Sequence, residues 1–480
     1  MGLNVSWKAG GLSTKINLWA KVLGVLLLGY LTTTRSFAYF GIPSLKLFIG
    51  EVILGVFLLT QPRAVFGQWS MALAHPTPLS PVAWGLFLFL GYGIFELLRG
   101  VGLNHRPLVA LQNLVFNYYP LYFFLGLWLG RQYLHYLPKM VRLIAWWNGL
   151  YGLAYILALS RLPWKMPGNP EIPIFGQPGG SAVALLGLLI FEPKLMRVWP
   201  LLLLNGLVML GVQVRAEWLG FIVAFAFWGW LTTRPGRVVL GVITVSLLLS
   251  LMYVVDVDLP SPSGRGGRIS VQEIVGRALA PLNPSIAEQY SEHAESYAGT
   301  VSWRTEWWRA IWAAVFENPT TALIGLGYGF PLGDLVPYLQ GSILRTPHNV
   351  FFYALGYGGC LGVGVFFWFQ MALAYMLMRA YQLTRQPFGL CYWMMTLTTA
   401  FFGNYLETPF GAIPFYLILG LSAAPVGSVY DQPASLHSSR CAGASGQEVH
   451  GAFWSHSAAS IDTVGGCRLL AAQVPVSREA

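Results

Sequence analysis

The sequence predicts an all-α polytopic integral membrane protein, with about twelve transmembrane helices and one large helical extracytoplasmic loop. Two observations carry that reading. Hydrophobic residues make up 55% of the 480 and charged residues only 10%, whereas a water-facing domain uses roughly 25% charged residues to stay hydrated. The apolar residues also gather in runs close to the ~20 that a helix needs to cross a bilayer, and mean hydropathy is +0.56. This composition excludes a soluble multidomain enzyme, a disordered chain and a nucleic-acid binder. The net charge of +10 instead suits Lys and Arg that anchor cytoplasmic loops. Of the four cysteines, Cys360 and Cys391 lie in apolar runs, and Cys441 and Cys467 in a polar tail. They form neither a disulfide framework nor a zinc-ligand spacing.

Twelve runs fit the spanning template: 17–34, 44–60, 82–98, 111–130, 141–159, 175–191, 198–213, 217–232, 238–255, 354–378, 388–406 and 409–425. The first has a rival reading as a signal peptide, because Lys8 and Lys15 precede it and Ser36-Phe37-Ala38 resembles a cleavage site. Arg35 against that site and the length of the run favour a span. With the N-terminus inside, twelve basic residues fall on the cytoplasmic side: Lys8, Lys15, Arg63, Arg131, Lys139, Arg142, Lys194, Arg197, Arg234, Arg237, Arg379 and Arg385. Six fall in short outer loops, namely Arg35, Arg99, Arg106, Arg161, Lys165 and Arg215. The bias puts both termini inside. The expected organisation is then nine membrane helices over 1–255, an extracytoplasmic loop over 256–346, three membrane helices over 347–425 and a disordered cytoplasmic tail over 426–480.

A structureless loop of that length would be unusual, so it should carry helices and function. Leu259 to Gly264 reads as a linker. Residues 303–316 read as a helix with Ser302 as its cap, Glu306 in its first turn and Asn318-Pro319 as its stop. Trp303, Trp307 and Ile311 share one face, which suits a helix lying at the membrane surface. Gly325-Leu326-Gly327-Tyr328-Gly329 lacks the Lys and Ser/Thr of a phosphate-binding loop and reads as a turn. Gly358 and Gly362 have the spacing of close helix packing. Lys21 and Lys46 can snorkel to an interface. Glu51 and Glu96 lie within apolar runs and either line a cavity or pair with an Arg.

Two positions stand out chemically. Arg215 breaks two apolar runs at the outer surface, and is either a helix-end anchor paired with Glu217 or an anion-binding group. His348 follows a turn-fixing proline in Arg345-Thr346-Pro347-His348-Asn349, just before the chain re-enters the membrane. An imidazole there can accept a proton near neutral pH, and clustered guanidiniums can hold a diphosphate in bidentate fashion.

Taken together, these residues resemble the O-antigen ligase and O-antigen polymerase family of bacterial envelope glycosyltransferases. Four features carry the resemblance over residues 213–364. They are Arg215 in Val214-Arg215-Ala216-Glu217-Trp218-Leu219-Gly220, Arg304 in the Trp-rich Trp303-Arg304-Thr305-Glu306-Trp307-Trp308, Glu317-Asn318-Pro319 followed by Gly325-Leu326-Gly327, and His348-Asn349 followed by Gly356, Gly359 and Gly362. Val214 stands where the family often has a small polar residue. The resemblance implies a membrane enzyme without cofactor or metal that moves a glycan from an undecaprenyl diphosphate carrier to an acceptor hydroxyl. The acceptor would be lipid A-core, a growing glycan or another envelope molecule. Arg215 and Arg304 would hold the diphosphate and His348 would act as base, with Arg345, Arg309, Asn349 and Glu217 as substrate-binding residues. The site would face the periplasm from the bacterial inner membrane.

A multi-pass solute transporter is the competing class, given Glu51, Glu96 and the Gly-rich segments. No internal repeat of the kind transporters often show is visible, and the polar residues gather around one outer loop. A ligand-binding scaffold without catalysis is a third reading.

Overall fold

The computed structural model describes residues 17–43, 47–233, 235–262, 267–341 and 346–430. Lys8, Lys15, Lys46, Arg234, Arg345, part of the expected 259–264 linker and the chain beyond residue 430 lie outside the described residues. The architecture is almost wholly helical, with three two-stranded antiparallel pairs as its only strands among the described residues.

Helix α1 (Leu18–Thr33) starts at Asn17, whose side chain accepts from the Trp19 amide at 3.0 Å. Ser36 and Ala38, at the would-be cleavage site, are buried, and the Ser36 hydroxyl donates to the Pro173 carbonyl at 2.7 Å. Helix α2 (Ile49–Thr60) and the helical segment Arg63–Ala74 meet at a 78° bend. Pro62 sits at that break and lacks the amide that a continuing helix would use. Then follow α3 (Ser80–Gly102), α4 (Tyr122–Tyr133), α5 (Leu137–Leu157), α6 (Ser181–Phe191), α7 (Trp199–Val212), α8 (Arg215–Leu231) and α9 (Pro235–Val254). The loop holds α10 (Val271–Leu279), α11 (Ala294–Val315) and α12 (Pro319–Ile324), and the chain closes with α13 (Val350–Thr384), α14 (Phe388–Ala400) and α15 (Pro409–Tyr430).

Every expected span has a helix, but not every helix is long enough to cross. Among the described residues four segments are long and apolar enough: Ser80–Gly102, Pro107–Leu157, Val350–Thr384 and Pro409–Gly427. The bent pair makes up to five. Helices α1, α6 and α7 are apolar but shorter than a bilayer crossing. The chain is thus a polytopic helical membrane protein.

Helix α15 is the centre of the bundle, with 83% of its most apolar stretch buried against 39% for that of α3. It lies almost backbone to backbone on α4. A Cβ at Gly420 would fall 1.9 Å from the Phe123 carbonyl oxygen, and one at Gly126 2.1 Å from that of Leu417. Without a hydrophobic drive between helices in lipid, such small-residue contacts let dispersion hold them together.

The loop folds back onto α13. Gly359 inside α13 has non-helical backbone angles (φ 60°, ψ −158°). The turn at Gly325 occupies the break, because a Cβ there would lie 2.5 Å from the Gly359 nitrogen. The amides of Leu326 and Gly327 donate to the carbonyls of Gly356 and Tyr357 at 2.8 and 3.1 Å, so carbonyls at the kink find new partners. Arg99, paired with the buried Glu96 at 2.6 Å, donates to the Ile324 carbonyl at 2.5 Å. Glu96 is therefore part of the seam between membrane and loop. Glu51 likewise serves its own helix, accepting from the Phe48 amide at 3.1 Å and from Tyr119. Gly358 and Gly362 make room for the Tyr92 ring on α3.

The Trp-rich helix departs from expectation. It begins at Ala294 rather than after Ser302, whose hydroxyl instead bonds back to the Gly299 carbonyl at 3.0 Å. Its face of Trp307, Ile311 and Val315 is fully buried, and the Trp307 ring nitrogen donates to the Leu332 carbonyl at 2.7 Å. That face packs into protein rather than lipid, while Trp312 remains 49% exposed.

Candidate active site

Arg215 owes its position to a break in the chain. Gln213 takes a left-handed conformation (φ 61°) and Val214 is extended, so α7 stops and α8 opens at Arg215. The Gln213 amide donates to the Arg268 carbonyl at 2.9 Å, tying the break to the loop. The half-buried Arg215 guanidinium reaches across to the loop helices. It donates to the Thr300 hydroxyl, to the Tyr297 carbonyl at 3.3 Å and to the Arg277 carbonyl at 3.4 Å.

Helix α10 supplies Arg277. Ser270 caps it by accepting from the Glu273 amide at 3.2 Å. The buried Arg277 guanidinium lies 3.9 Å from the Tyr297 ring centroid and donates to the Tyr297 hydroxyl at 2.7 Å. That hydroxyl in turn donates to Glu273 at 2.7 Å. On α11, Tyr297, Thr300 and Arg304 follow an i, i+3, i+7 pattern and so share one face. Arg304 donates to the Phe402 carbonyl at 3.1 Å and lies 5.3 Å from the Trp303 ring.

His348 sits in a pinned turn. The Trp308 ring nitrogen donates to the Pro347 carbonyl at 2.7 Å. Asn349 caps α13, its side-chain oxygen accepting from the amides of Phe351 and Phe352 at 2.8 and 3.2 Å. Between them His348 has φ 53°, a strained conformation for a residue with a Cβ. The surrounding contacts hold it there. Its ring meets Trp303 edge-on at 5.8 Å, and the Asn404 side chain hydrogen-bonds to it. Burial first, and then the Arg304 charge, push the imidazole down to about 4, with a smaller contribution from Arg35.

Positive charge concentrates here. Burial, then the neighbouring guanidiniums of Arg277 and Arg304, push Arg215 down to about 10. It stays protonated at neutral pH, but the shift records three like charges held close together. Glu407, in the same turn as Phe402 and Asn404, does little to offset them. Burial raises its carboxyl to about 8, leaving it largely neutral at pH 7. Such an arrangement is suited to an anion with several oxygens, beside an imidazole able to take a proton.

The structure thus brings Arg215, Arg304 and His348 into one region. Arg309 is exposed on the same α11. The half-buried Glu217 lies near Tyr405. Asn349 is engaged as a helix cap, and Arg345 lies outside the described residues. Among the described residues, no three His, Cys, Asp or Glu side chains come together as a metal site would require.

Residues 200–367 match the O-antigen ligase family. No curated protein matches the chain. Arg215, Arg277, Arg304 and His348 all fall within the matched segment. Over that segment the chain is similar to O-antigen ligases.

Several residues of this site escaped sequence reasoning. Arg277 and Tyr297 stand in polar stretches with no motif, although the strong amphipathicity of Val271–Leu279 marks that helix as packed. Phe402 and Asn404 fall inside the expected run 388–406, whereas the helix ends at Ala400, and both are far in sequence from the residues they touch. Arg35 was legible only as an outer anchor.

Proposed function

We propose that this O-antigen ligase-type enzyme transfers a glycan from an undecaprenyl diphosphate carrier to an acceptor hydroxyl without a metal ion. The single observation behind the proposal is the convergence of Arg215, Arg277 and Arg304 beside His348. In the scheme the acceptor oxygen attacks the anomeric carbon of the donor sugar. The bond from that carbon to the phosphate oxygen breaks, and undecaprenyl diphosphate leaves with the electron pair. The acceptor proton passes to His348. Guanidiniums aimed at the leaving diphosphate would stabilise the charge that develops there. Arg309 and Glu217 would contact the glycan, and Asn349 would act indirectly by fixing the His348 turn. Arg345 completes the proposed substrate-binding set.

The purified chain, given lipid-linked glycan and acceptor in excess EDTA, should transfer at its full rate. Activity lost with EDTA and restored by magnesium or manganese would overturn the arginine-only scheme.

A pH dependence follows from the depressed imidazole. A base held near 4 in the free protein is unprotonated at neutral pH, so kcat/KM should lose activity only as pH falls toward that value. Bound diphosphate offsets the Arg304 charge, so the acid limb of kcat should lie at higher pH than that of kcat/KM. Coincident limbs would argue against a diphosphate facing His348.

The proposed topology has twelve spans, with the 256–346 loop and the site facing the periplasm. In a background free of native cysteine, an impermeant thiol reagent applied to intact spheroplasts should label Glu288→Cys but not Gln386→Cys. The reverse pattern would invert the orientation.

A further inference from the structure

A hollow lies on the loop, behind the arginine cluster. It has a volume of about 370 Å³, and its walls include Asp256, Gln272, Glu273, Tyr290, Glu292 and His293. The volume lies within the roughly 300–1,000 Å³ typical of small-molecule sites. An ion pair between Arg268 and Asp258 closes one side.

The lining is chemically specific. Four carboxyl groups (Asp256, Asp258, Glu273 and Glu292) against one guanidinium make the cleft unfavourable for phosphate, in contrast to the arginine cluster. Carboxylates and the Gln272 amide offer acceptors and donors for vicinal hydroxyls, and Ser270 adds a hydroxyl. Tyr290, 43% exposed, presents an apolar ring face. Polar groups around one open aromatic ring match the two-sided character of a sugar, hydroxylated at its rim and apolar on a C–H face. The acids are not gathered as ion ligands, since among the described residues no three metal-binding side chains cluster.

The cleft is also wired to the proposed transfer site. Glu273 forms part of its wall while accepting from Tyr297 at 2.7 Å and from Ser291 at 2.8 Å. Tyr297 accepts from Arg277, and its carbonyl accepts from Arg215. One tyrosine therefore separates the cleft from the guanidiniums.

We infer that the cleft formed by Gln272, Tyr290, Glu292 and their neighbours is a saccharide subsite that binds sugar units of the glycan next to the proposed diphosphate site. It rests on the transferase reading for its place in the reaction, but not for its binding chemistry. The sugars come either from the donor glycan beyond its first residue or from the acceptor.

Gln272, Tyr290 and Glu292 are exposed, so the full chain carrying Gln272→Ala with Tyr290→Ala, or Glu292→Gln, retains its packing. The probes are the lipid-linked glycan from the native cells, the same glycan released by mild acid, the isolated acceptor and glycan-free undecaprenyl diphosphate. The double variant should weaken binding of released glycan or of acceptor by about tenfold or more, the effect of losing one or two hydrogen bonds. Affinity for undecaprenyl diphosphate should stay at the wild-type value. A raised KM for the donor alone assigns the cleft to donor sugars, and a raised KM for the acceptor alone assigns it to acceptor sugars. Variants that match wild type in glycan binding, acceptor binding and both KM values overturn the subsite. A wild-type chain that binds released glycan in the cleft but neither binds undecaprenyl diphosphate nor transfers would keep the subsite and remove the transferase reading.

Discussion

Arg304→Lys should lower both donor affinity and transfer, with kcat/KM falling by about 10²-fold, although the positive charge remains. The expectation follows from geometry. Arg304 shares a face of α11 with Tyr297 and Thr300 and is steadied by the Phe402 carbonyl at 3.1 Å. Its planar fork can donate to a diphosphate through further N–H groups, whereas a lysine ammonium reaches as a point charge and loses the bidentate fit. A second consequence separates this account from simple misfolding. Removing the charge in Arg304→Gln should relieve repulsion on His348, raising its pKa and moving the acid limb of kcat/KM upward. A structural role alone would lower activity and thermal stability together and leave the limb in place. Measured donor affinity, kcat/KM against pH and melting temperature on the same preparations distinguish the two.

How much of this was legible in the sequence depended on whether the signal was local. Helix existence followed from apolar runs; Arg215 stood out because it breaks two such runs, and His348 because it follows a proline just before one. Arg304 was marked by its Trp-rich surroundings. The start of α11 was misplaced because Ser302 followed by Glu306 looks like a helix start, while the helical face of Tyr297, Thr300 and Arg304 needs the helix to begin earlier. The number of crossings is hard to read because composition does not show where Pro62 bends a span. Most elusive were tertiary partners. Nothing near Asn404 in sequence says that it meets His348, and nothing near Arg277 says that it lies on Tyr297 beside Arg215.

The second large effect concerns the proton. His348→Ala should leave binding of the lipid-linked donor nearly intact and reduce turnover by about 10²-fold or more, the range of general-base assistance. The structure weakens the main structural alternative, because the helix is capped by Asn349 and the Pro347 carbonyl is held by Trp308. Neither contact uses the imidazole. His348 also has a left-handed backbone, so replacement by Ala keeps the same strained turn and Gly would relieve it. His348→Gly should therefore be at least as stable as His348→Ala and equally slow.

The most direct test is single-turnover transfer from lipid-linked glycan, per folded molecule, for wild type and His348→Ala at saturating donor. The account predicts a rate lower by about 10²-fold or more at unchanged donor affinity. A folded His348→Ala protein that transfers at the wild-type rate would contradict it.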